Sequence, residues 1–257
     1  MLNEVALTTR PPRGRPPGST SSGKMRLAAD GVSGVPIPDH DSVGFLNALR
    51  LAYLNNREPT QFVTIHWALL KSRRGVDAMM RRLKNKAGQW LKARTGEPAV
   101  WLQFREMGDS WDDKGDHCHL MIWIPESQQA AFKAMLTRWI TAEAATATLH
   151  PDALDVRPIT PGTTQTTSGL RSYGLKEATL AIFDLGLVSV SHRYRATGLP
   201  VPGQRLQVAQ TIDRAARKAA GYIDQPASFF AQADNVVALT PRRASSTTST
   251  ATTALAA

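Results

Sequence analysis

The sequence predicts an α+β fold in which an antiparallel sheet carries its helices on one face. Three observations predict it: short runs rich in β-forming residues, segments whose apolar residues recur at helical spacing, and the order in which these segments alternate between residues 61 and 159. That order is β-α-β-β-α-β, the split arrangement that places both helices on one face and leaves the other face open. We therefore expect a substrate to reach the open face.

The first half of this pattern is a strand, a helix and a second strand. Residues 61–68 are rich in β-formers and predict the first strand. The next segment predicts a helix with one apolar face and one basic face. Its apolar residues at helical spacing are Val76, Met79, Met80, Leu83, Ala87, Trp90 and Leu91. Residues 99–106 begin with an apolar run and predict the second strand.

The second half of the pattern is a strand, a helix and a last strand. Residues 117–125 predict a strand that neighbours 99–106 in a hairpin, because the loop 108–115 between them is turn-like. Ser127 is the predicted cap of the following helix. The apolar stripe of this helix consists of Phe132, Met135, Leu136, Trp139 and Ile140. Residues 152–159 predict the last strand.

Two histidines one residue apart on the third strand indicate a metal site. Side chains alternate along a strand, so His117 and His119 project to one side. The other side carries the apolar set Cys118, Leu120, Ile122 and Ile124. An imidazole pair at this spacing can chelate one divalent ion. Glu106, at the end of the neighbouring strand, is a candidate third ligand, although its parity with Leu102 and Phe104 turns it towards the core unless a bulge intervenes.

A tyrosine and a lysine downstream supply a candidate nucleophile and a neighbouring cation. Residues 168–183 have helical character, which puts Tyr173 and Lys176 on one helical face at i, i+3. Lys176 can steady a phosphate or lower the pKa of the phenol from its ordinary value of ~10. Gly174 lets another part of the backbone approach closely. Tyr194 and Tyr222 are rival tyrosines that we expect to be structural.

Charge predicts a polyanionic partner. The formal net charge is +10, and residues 5–29 contain five bases and no acid. Arg10, Arg13 and Arg15 lie in a Pro- and Gly-rich stretch that resembles an AT-hook, a motif that enters the narrow minor groove of A·T-rich duplex. A nonspecific basic tail is the alternative. Arg193 and Arg195 belong to a second basic segment, which is either a DNA-contacting extension or a solvated helix.

Three short segments together resemble the HUH endonuclease superfamily, which includes rolling-circle replication initiators, conjugative relaxases and single-tyrosine transposases. They are Phe62-Val63-Thr64-Ile65-His66, which is similar to the first-strand motif, His117-Cys118-His119, and Tyr173-x-x-Lys176. The tyrosine follows the histidines, as in replication initiators and small transposases, whereas relaxases carry it ahead of them. The resemblance covers roughly residues 60–185 and implies a ferredoxin-like or RRM-like HUH nuclease core.

The resemblance implies metal-dependent nicking and joining of single-stranded DNA through a 5′-phosphotyrosine, which initiates rolling-circle replication of a plasmid or phage-like element. Tyr173 and Lys176 would be catalytic, and His117, His119 and Glu106 would hold Mg²⁺ or Mn²⁺. The expected partners are single-stranded origin DNA, its flanking duplex, and a host helicase and polymerase. A single-tyrosine transposase, a relaxase-like mobilisation protein and a catalytically inert origin-binding regulator are the alternatives.

Composition and the resemblance together predict four parts of the chain. We expect a disordered basic arm at 1–40, the HUH endonuclease domain at 41–190, a basic helical extension at 191–235 and a disordered Ser/Thr/Ala-rich tail at 236–257. Cys118 is the only cysteine, which predicts a reducing compartment. No apolar stretch approaches the ~20 residues of a membrane span, and we expect a bacterial cytoplasmic protein without a membrane partner.

Overall fold

A computed structural model describes residues 37–70, 75–107, 115–144, 148–160 and 205–231, together with positions 171, 174, 175, 178, 182, 184, 185 and 187. These residues form an α+β fold with a five-stranded antiparallel sheet. The helices are α1 (Asp39–Leu54), α2 (Trp67–Leu70), α3 (Val76–Thr95), α4 (Gln129–Glu143), α5 (Arg214–Ala219) and α6 (Ala227–Ala231). The strands are β1 (Gln61–His66), β2 (Trp101–Met107), β3 (Asp116–Ile122), β4 (Leu154–Pro158) and β5 (Leu206–Val208).

The strand order is β4-β1-β3-β2-β5, and every neighbouring pair is antiparallel. Strands β1 to β4 with helices α3 and α4 follow the predicted split β-α-β-β-α-β order, so this part of the fold prediction is confirmed. Helices α3 and α4 cover one face of the sheet, where Cys118, Leu120 and Ile122 of β3 lie in their core. This burial follows from strand alternation, because these residues share one side of β3.

Helix α1 covers part of the opposite face, which the sequence predicted to be open. Phe45 and Leu49 of α1 share a second core with Leu102 and Met121 of the sheet. The prediction of helices on one face only is therefore wrong, and its physical cause is a second set of apolar side chains on the strands. Burying them contributes about 25 cal/mol per Å² of apolar area.

The C-terminal described segment differs from the expected helical extension. It begins with β5, which pairs with the edge of β2, and continues with the short helices α5 and α6. Asn47 of α1 fixes this segment by donating to the Gln225 carbonyl oxygen at 2.9 Å and accepting from the Gln225 amide at 2.7 Å. Residues 1–36 of the arm predicted at 1–40 lie outside the described residues, as does the tail predicted at 236–257, whereas α1 begins within the predicted arm at Asp39.

Two smaller findings complete the fold. Ser127 is not a cap, because it lies inside a short 3₁₀ turn, Glu126–Gln128, that precedes α4. Within the described residues, no helix is both long enough and apolar enough to cross a membrane.

Candidate metal centre

Three adjacent strands bring the candidate ligands to one face of the sheet. The β2–β3 ladder sets Glu106 directly opposite His117, and the β1–β3 ladder sets Thr64 directly opposite His119. Directly opposite residues in an antiparallel pair project to the same side. Glu106 thus shares its side of β2 with Leu102 and Phe104, as expected. This face of the sheet is apolar where α1 covers it and polar at the end of β2, so Glu106 can reach the two histidines without a β-bulge. We call Glu106, His117 and His119 the Glu–His–His cluster.

The donor atoms of the cluster converge. The Nε2 atom of His117 lies 3.2 Å from Oε2 of Glu106, and the Nε2 atom of His119 lies 3.7 Å from the same oxygen. Each of the three residues offers one ligand atom, and these three atoms all lie within 4.8 Å of one another. The three side chains are nearly buried, with exposed fractions of 8%, 12% and 4% for Glu106, His117 and His119. The geometry therefore brings the three predicted ligands together into a cluster that could hold a metal ion.

The second nitrogen of each imidazole has its own partner. His117 Nδ1 lies 3.0 Å from the Gly115 carbonyl oxygen, and His119 Nδ1 lies 2.9 Å from the Thr64 hydroxyl oxygen. Gly115 has a positive φ of 54°, a backbone conformation that favours glycine. Such outer partners fix the orientation of metal-binding histidines and direct Nε2 towards the ion.

The contact of His117 with Gly115 determines which nitrogen of the His117 ring carries the proton. A carbonyl oxygen only accepts, so His117 Nδ1 is the protonated nitrogen and donates to it. In the neutral ring, Nε2 then presents a lone pair to an oxygen of Glu106, which is also an acceptor. A proton on His117 Nε2 or on the Glu106 carboxyl, or a metal ion beside both atoms, removes this conflict. A cation bound between these atoms would therefore be stabilised.

Aromatic rings enclose the cluster. Phe104 stacks on His119 at a centroid distance of 4.8 Å, and Phe62 approaches the same ring at 5.2 Å. His66, opposite His117 on β1, stacks on it at 5.1 Å. The sequence prediction missed the contributions of Thr64 and His66 to this region. Their shared parity on β1 was the available signal, but the pairing register of β1 with β3 was needed to use it.

The donor set fits a divalent transition metal. Two imidazole nitrogens and one carboxylate oxygen suit Mn²⁺ and other first-row ions, while Mg²⁺ prefers oxygen ligands and retains water.

Burial lowers the pKa of the Arg205 guanidinium, and the negative charge of Glu106 opposes that shift. Arg205 of the C-terminal segment is thus within electrostatic reach of the cluster.

The predicted catalytic and DNA-binding residues lie outside the described residues: Tyr173, Lys176, Arg10, Arg13, Arg15, Arg193 and Arg195. Two neighbours of Tyr173 are described. Leu175 is fully buried in the core that α1 shares with the sheet. A Cβ atom on Gly174 would lie 2.6 Å from Cζ of Phe45, so the group closest to this glycine is a side chain and not the backbone that the sequence analysis expected.

The two described tyrosines have structural surroundings. Tyr53 is buried in α1. Tyr222 donates its hydroxyl proton to Asn47 Oδ1 at 2.9 Å, and burial raises the pKa of Tyr222 to about 12. A phenol with such a pKa is a poor nucleophile near neutral pH. These surroundings agree with the structural role expected for Tyr222.

Comparison of the chain with protein-family models, curated proteins and solved structures returned no match.

Proposed function

We propose that this protein is an HUH-type endonuclease that nicks and rejoins single-stranded DNA in a metal-dependent reaction and initiates rolling-circle replication of a plasmid or phage-like element. The observation that carries the proposal is the Glu–His–His cluster, in which two histidines of one strand direct their Nε2 atoms at a carboxylate of the next strand. It has the donor types and spacing that the His-hydrophobic-His motif of this superfamily implies.

The chemistry assigned to the chain is a transesterification. The Tyr173 hydroxyl attacks a backbone phosphate and loses its proton, the P–O bond to the 3′ oxygen breaks, and the DNA 5′ phosphate becomes esterified to the tyrosine. Attack by a free 3′ hydroxyl reverses the step, so the bond energy is retained for joining. A divalent cation held by the cluster would act as a Lewis acid on nonbridging phosphate oxygens. Lys176 adds a positive charge near the same phosphate.

The packing around Gly174 supports this assignment. Gly174 contacts Phe45 of α1, and Leu175 belongs to the core that α1 forms with Leu102 and Met121. These sheet residues lie on the same face as the cluster, since Met121 and His119 are two residues apart on β3. Gly174 and Leu175, which follow Tyr173 in the sequence, thus pack against residues of the face that bears the cluster, and this packing supports the proposal.

The proposal also assigns partners. Single-stranded origin DNA would bind at the cluster, and the basic arm with Arg10, Arg13 and Arg15 would hold flanking duplex. Arg193 and Arg195 would add contacts with the phosphate backbone. A host helicase and polymerase would then extend the nicked strand.

Nicking of single-stranded origin DNA in the presence of Mn²⁺ tests the proposal, with Tyr173→Phe and Tyr222→Phe compared in parallel. Tyr173→Phe should lower the nicking rate by several orders of magnitude while DNA binding is retained, because only the nucleophilic oxygen is lost. Tyr222→Phe is the matched control and should nick at the wild-type rate. Full activity of Tyr173→Phe would contradict the assignment, and binding without nicking by the wild type would favour the inert origin-binding regulator.

A further inference from the structure

We propose that Thr64 is the positioning residue of the Glu–His–His cluster: its hydroxyl holds His119 in the orientation that presents Nε2 to a divalent cation. This inference rests on the metal-binding part of the proposed function and is independent of the DNA cleavage step. Thr64 lies on β1, outside the residues that supply donor atoms.

The geometry of the β1–β3 ladder carries the first step of the argument. Thr64 pairs with His119 across the ladder, and its Oγ1 atom lies 2.9 Å from His119 Nδ1. Both side chains are shielded from solvent, with exposed fractions of 9% for Thr64 and 4% for His119. Water therefore competes poorly for this hydrogen bond, and a buried nitrogen left without it would carry a desolvation penalty.

The rings on either side of His119 carry the second step. Phe104 stacks on the imidazole with an interplanar angle of 29°, and Phe62 lies against it at 37°. These contacts restrict the ring plane, but neither phenyl ring distinguishes Nδ1 from the carbon that a 180° flip would exchange with it. The Thr64 hydroxyl makes that distinction, because only nitrogen can form the hydrogen bond. Nε2 then faces Glu106.

The difference between the two histidines carries the third step. His117 Nδ1 faces the Gly115 carbonyl, which only accepts, so the proton stays on Nδ1. The Thr64 hydroxyl can donate or accept. It accepts from Nδ1–H when Nε2 binds a cation, and it can donate to Nδ1 when the proton lies on Nε2 beside the Glu106 carboxylate. Thr64 thus stabilises His119 with and without the ion, whereas Gly115 serves one tautomer of His117.

Calorimetric titration with Mn²⁺ at fixed pH tests the inference on three variants of the full chain. Thr64→Val keeps the β-branched shape and removes the hydroxyl, and we expect it to weaken Mn²⁺ binding about 10–100-fold, the usual effect of losing an outer partner of a metal ligand. Thr64→Ser restores a hydroxyl and should bind close to wild type. Thr60→Val is the matched control, because the Thr60 hydroxyl bonds both backbone groups of Ile124, away from the cluster.

A spectroscopic readout separates positioning from general destabilisation. Co²⁺ reports ligand geometry through its visible absorption, which should change in Thr64→Val and stay as in wild type for Thr60→Val. Wild-type Mn²⁺ affinity in Thr64→Val, an equal loss in Thr60→Val, or no Mn²⁺ binding by the wild-type protein would each overturn the inference. A wild-type protein that binds Mn²⁺ but never nicks DNA would contradict the proposed function and leave the role of Thr64 standing.

Discussion

The carboxylate of Glu106 is nearly buried beside two imidazoles, and its surroundings decide how that charge is tolerated. Burying an ionised carboxylate costs several kcal/mol unless a cation or hydrogen-bond donors compensate. His117 donates its Nδ1 proton to the Gly115 carbonyl oxygen, and its Nε2 atom lies 3.2 Å from Oε2 of Glu106. A protonated His117, a proton on His119 Nε2, the positive charge of Arg205 or a metal ion would each offset this charge.

A second charge, the partly buried Lys84, lies on the other face of the sheet. Its Nζ atom donates to Gln103 Oε1 at 2.8 Å and to Gln207 Oε1 at 2.6 Å, and it lies 4.3 Å from the centroid of the Trp101 ring. These contacts join α3 to β2 and β5. Burial lowers the pKa of Lys84 from 10.5 to about 8, so the folded state disfavours the charged amine.

The lowered pKa of Lys84 predicts how stability changes with pH. Between pH 8 and 10.5 the unfolded chain holds the Lys84 proton while the folded chain releases it, so this residue makes stability rise with pH in that window. Below pH 8 both states are charged, and the burial penalty is fully present. The unfolding free energy of wild type minus that of Lys84→Met should therefore increase across the window in urea titrations. A difference that stays constant with pH would contradict this account.

At the scale of elements, periodicity predicted the parts of the fold that are half buried. Helix α3 buries Met79, Leu83 and Leu91 and exposes its basic side, so its apolar period was visible in the sequence. Helix α1 was missed because it is buried on most sides: Ser42 and Asn47 are as buried as Phe45. A helix without a polar face has no amphipathic period to detect.

Strand β5 was missed for a different reason. It has three residues, which is too short for an alternation pattern, and it forms only through pairing with the edge of β2. Long-range pairing also explains why the partners of the cluster were incomplete. Alternation put His117 and His119 on one side, but Thr64 reaches His119 only through the register of β1 with β3.

The contact between α1 and Gly174 gives a prediction for two glycines. Gly174→Ala should destabilise the fold by about 1–3 kcal/mol, as overpacking does, because its Cβ would lie 2.6 Å from the buried Phe45 ring. Gly44→Ala is the matched control in α1. Apart from its chain neighbours and the backbone of its own helix, no described atom lies within 4 Å of its added Cβ, so the better helix propensity should leave stability equal or higher by about 1 kcal/mol.

Urea-induced unfolding of both variants checks this prediction. Phe45→Leu combined with Gly174→Ala should recover part of the loss, since the two side chains are in contact and their effects should couple. Equal effects of alanine at positions 44 and 174, or strictly additive effects in the double variant, would show that the contact does not limit the packing of this segment.

At the scale of the whole molecule, the sheet separates two hydrophobic cores, and only one of the two faces also carries the cluster. The face under α3 and α4 is apolar along β3, whereas the opposite face changes from a core under α1 to the Glu–His–His cluster at the far end of β2. With only one buried face expected from the sequence, the parity of Glu106 with Leu102 counted against a ligand role for Glu106. The face under α1 holds both a hydrophobic core and the cluster, so Glu106 can share its side of β2 with Leu102 and still lie beside the two histidines.

The distribution of charge predicts that the basic segments bind DNA, separately from the Glu–His–His cluster. The net charge of +10 and the acid-free segment at 5–29 favour a nucleic-acid partner. The DNA contacts assigned to Arg10, Arg13, Arg15, Arg193 and Arg195 lie outside the described residues and stay predictions. The Glu–His–His cluster, by contrast, is a described structural feature. An experiment that requires both a bound metal and Tyr173 is therefore the most direct test of the proposed reaction.

Covalent capture of DNA tests that claim most directly. Single-stranded fragments that tile the DNA element encoding the chain are labelled at their 3′ ends, incubated with protein and Mn²⁺, and separated under denaturing conditions. A 5′-phosphotyrosine predicts label that migrates with the protein, disappears when EDTA removes the metal, and is absent with Tyr173→Phe. No labelled protein over the complete tiling, or an adduct that survives both EDTA and Tyr173→Phe, would contradict the account.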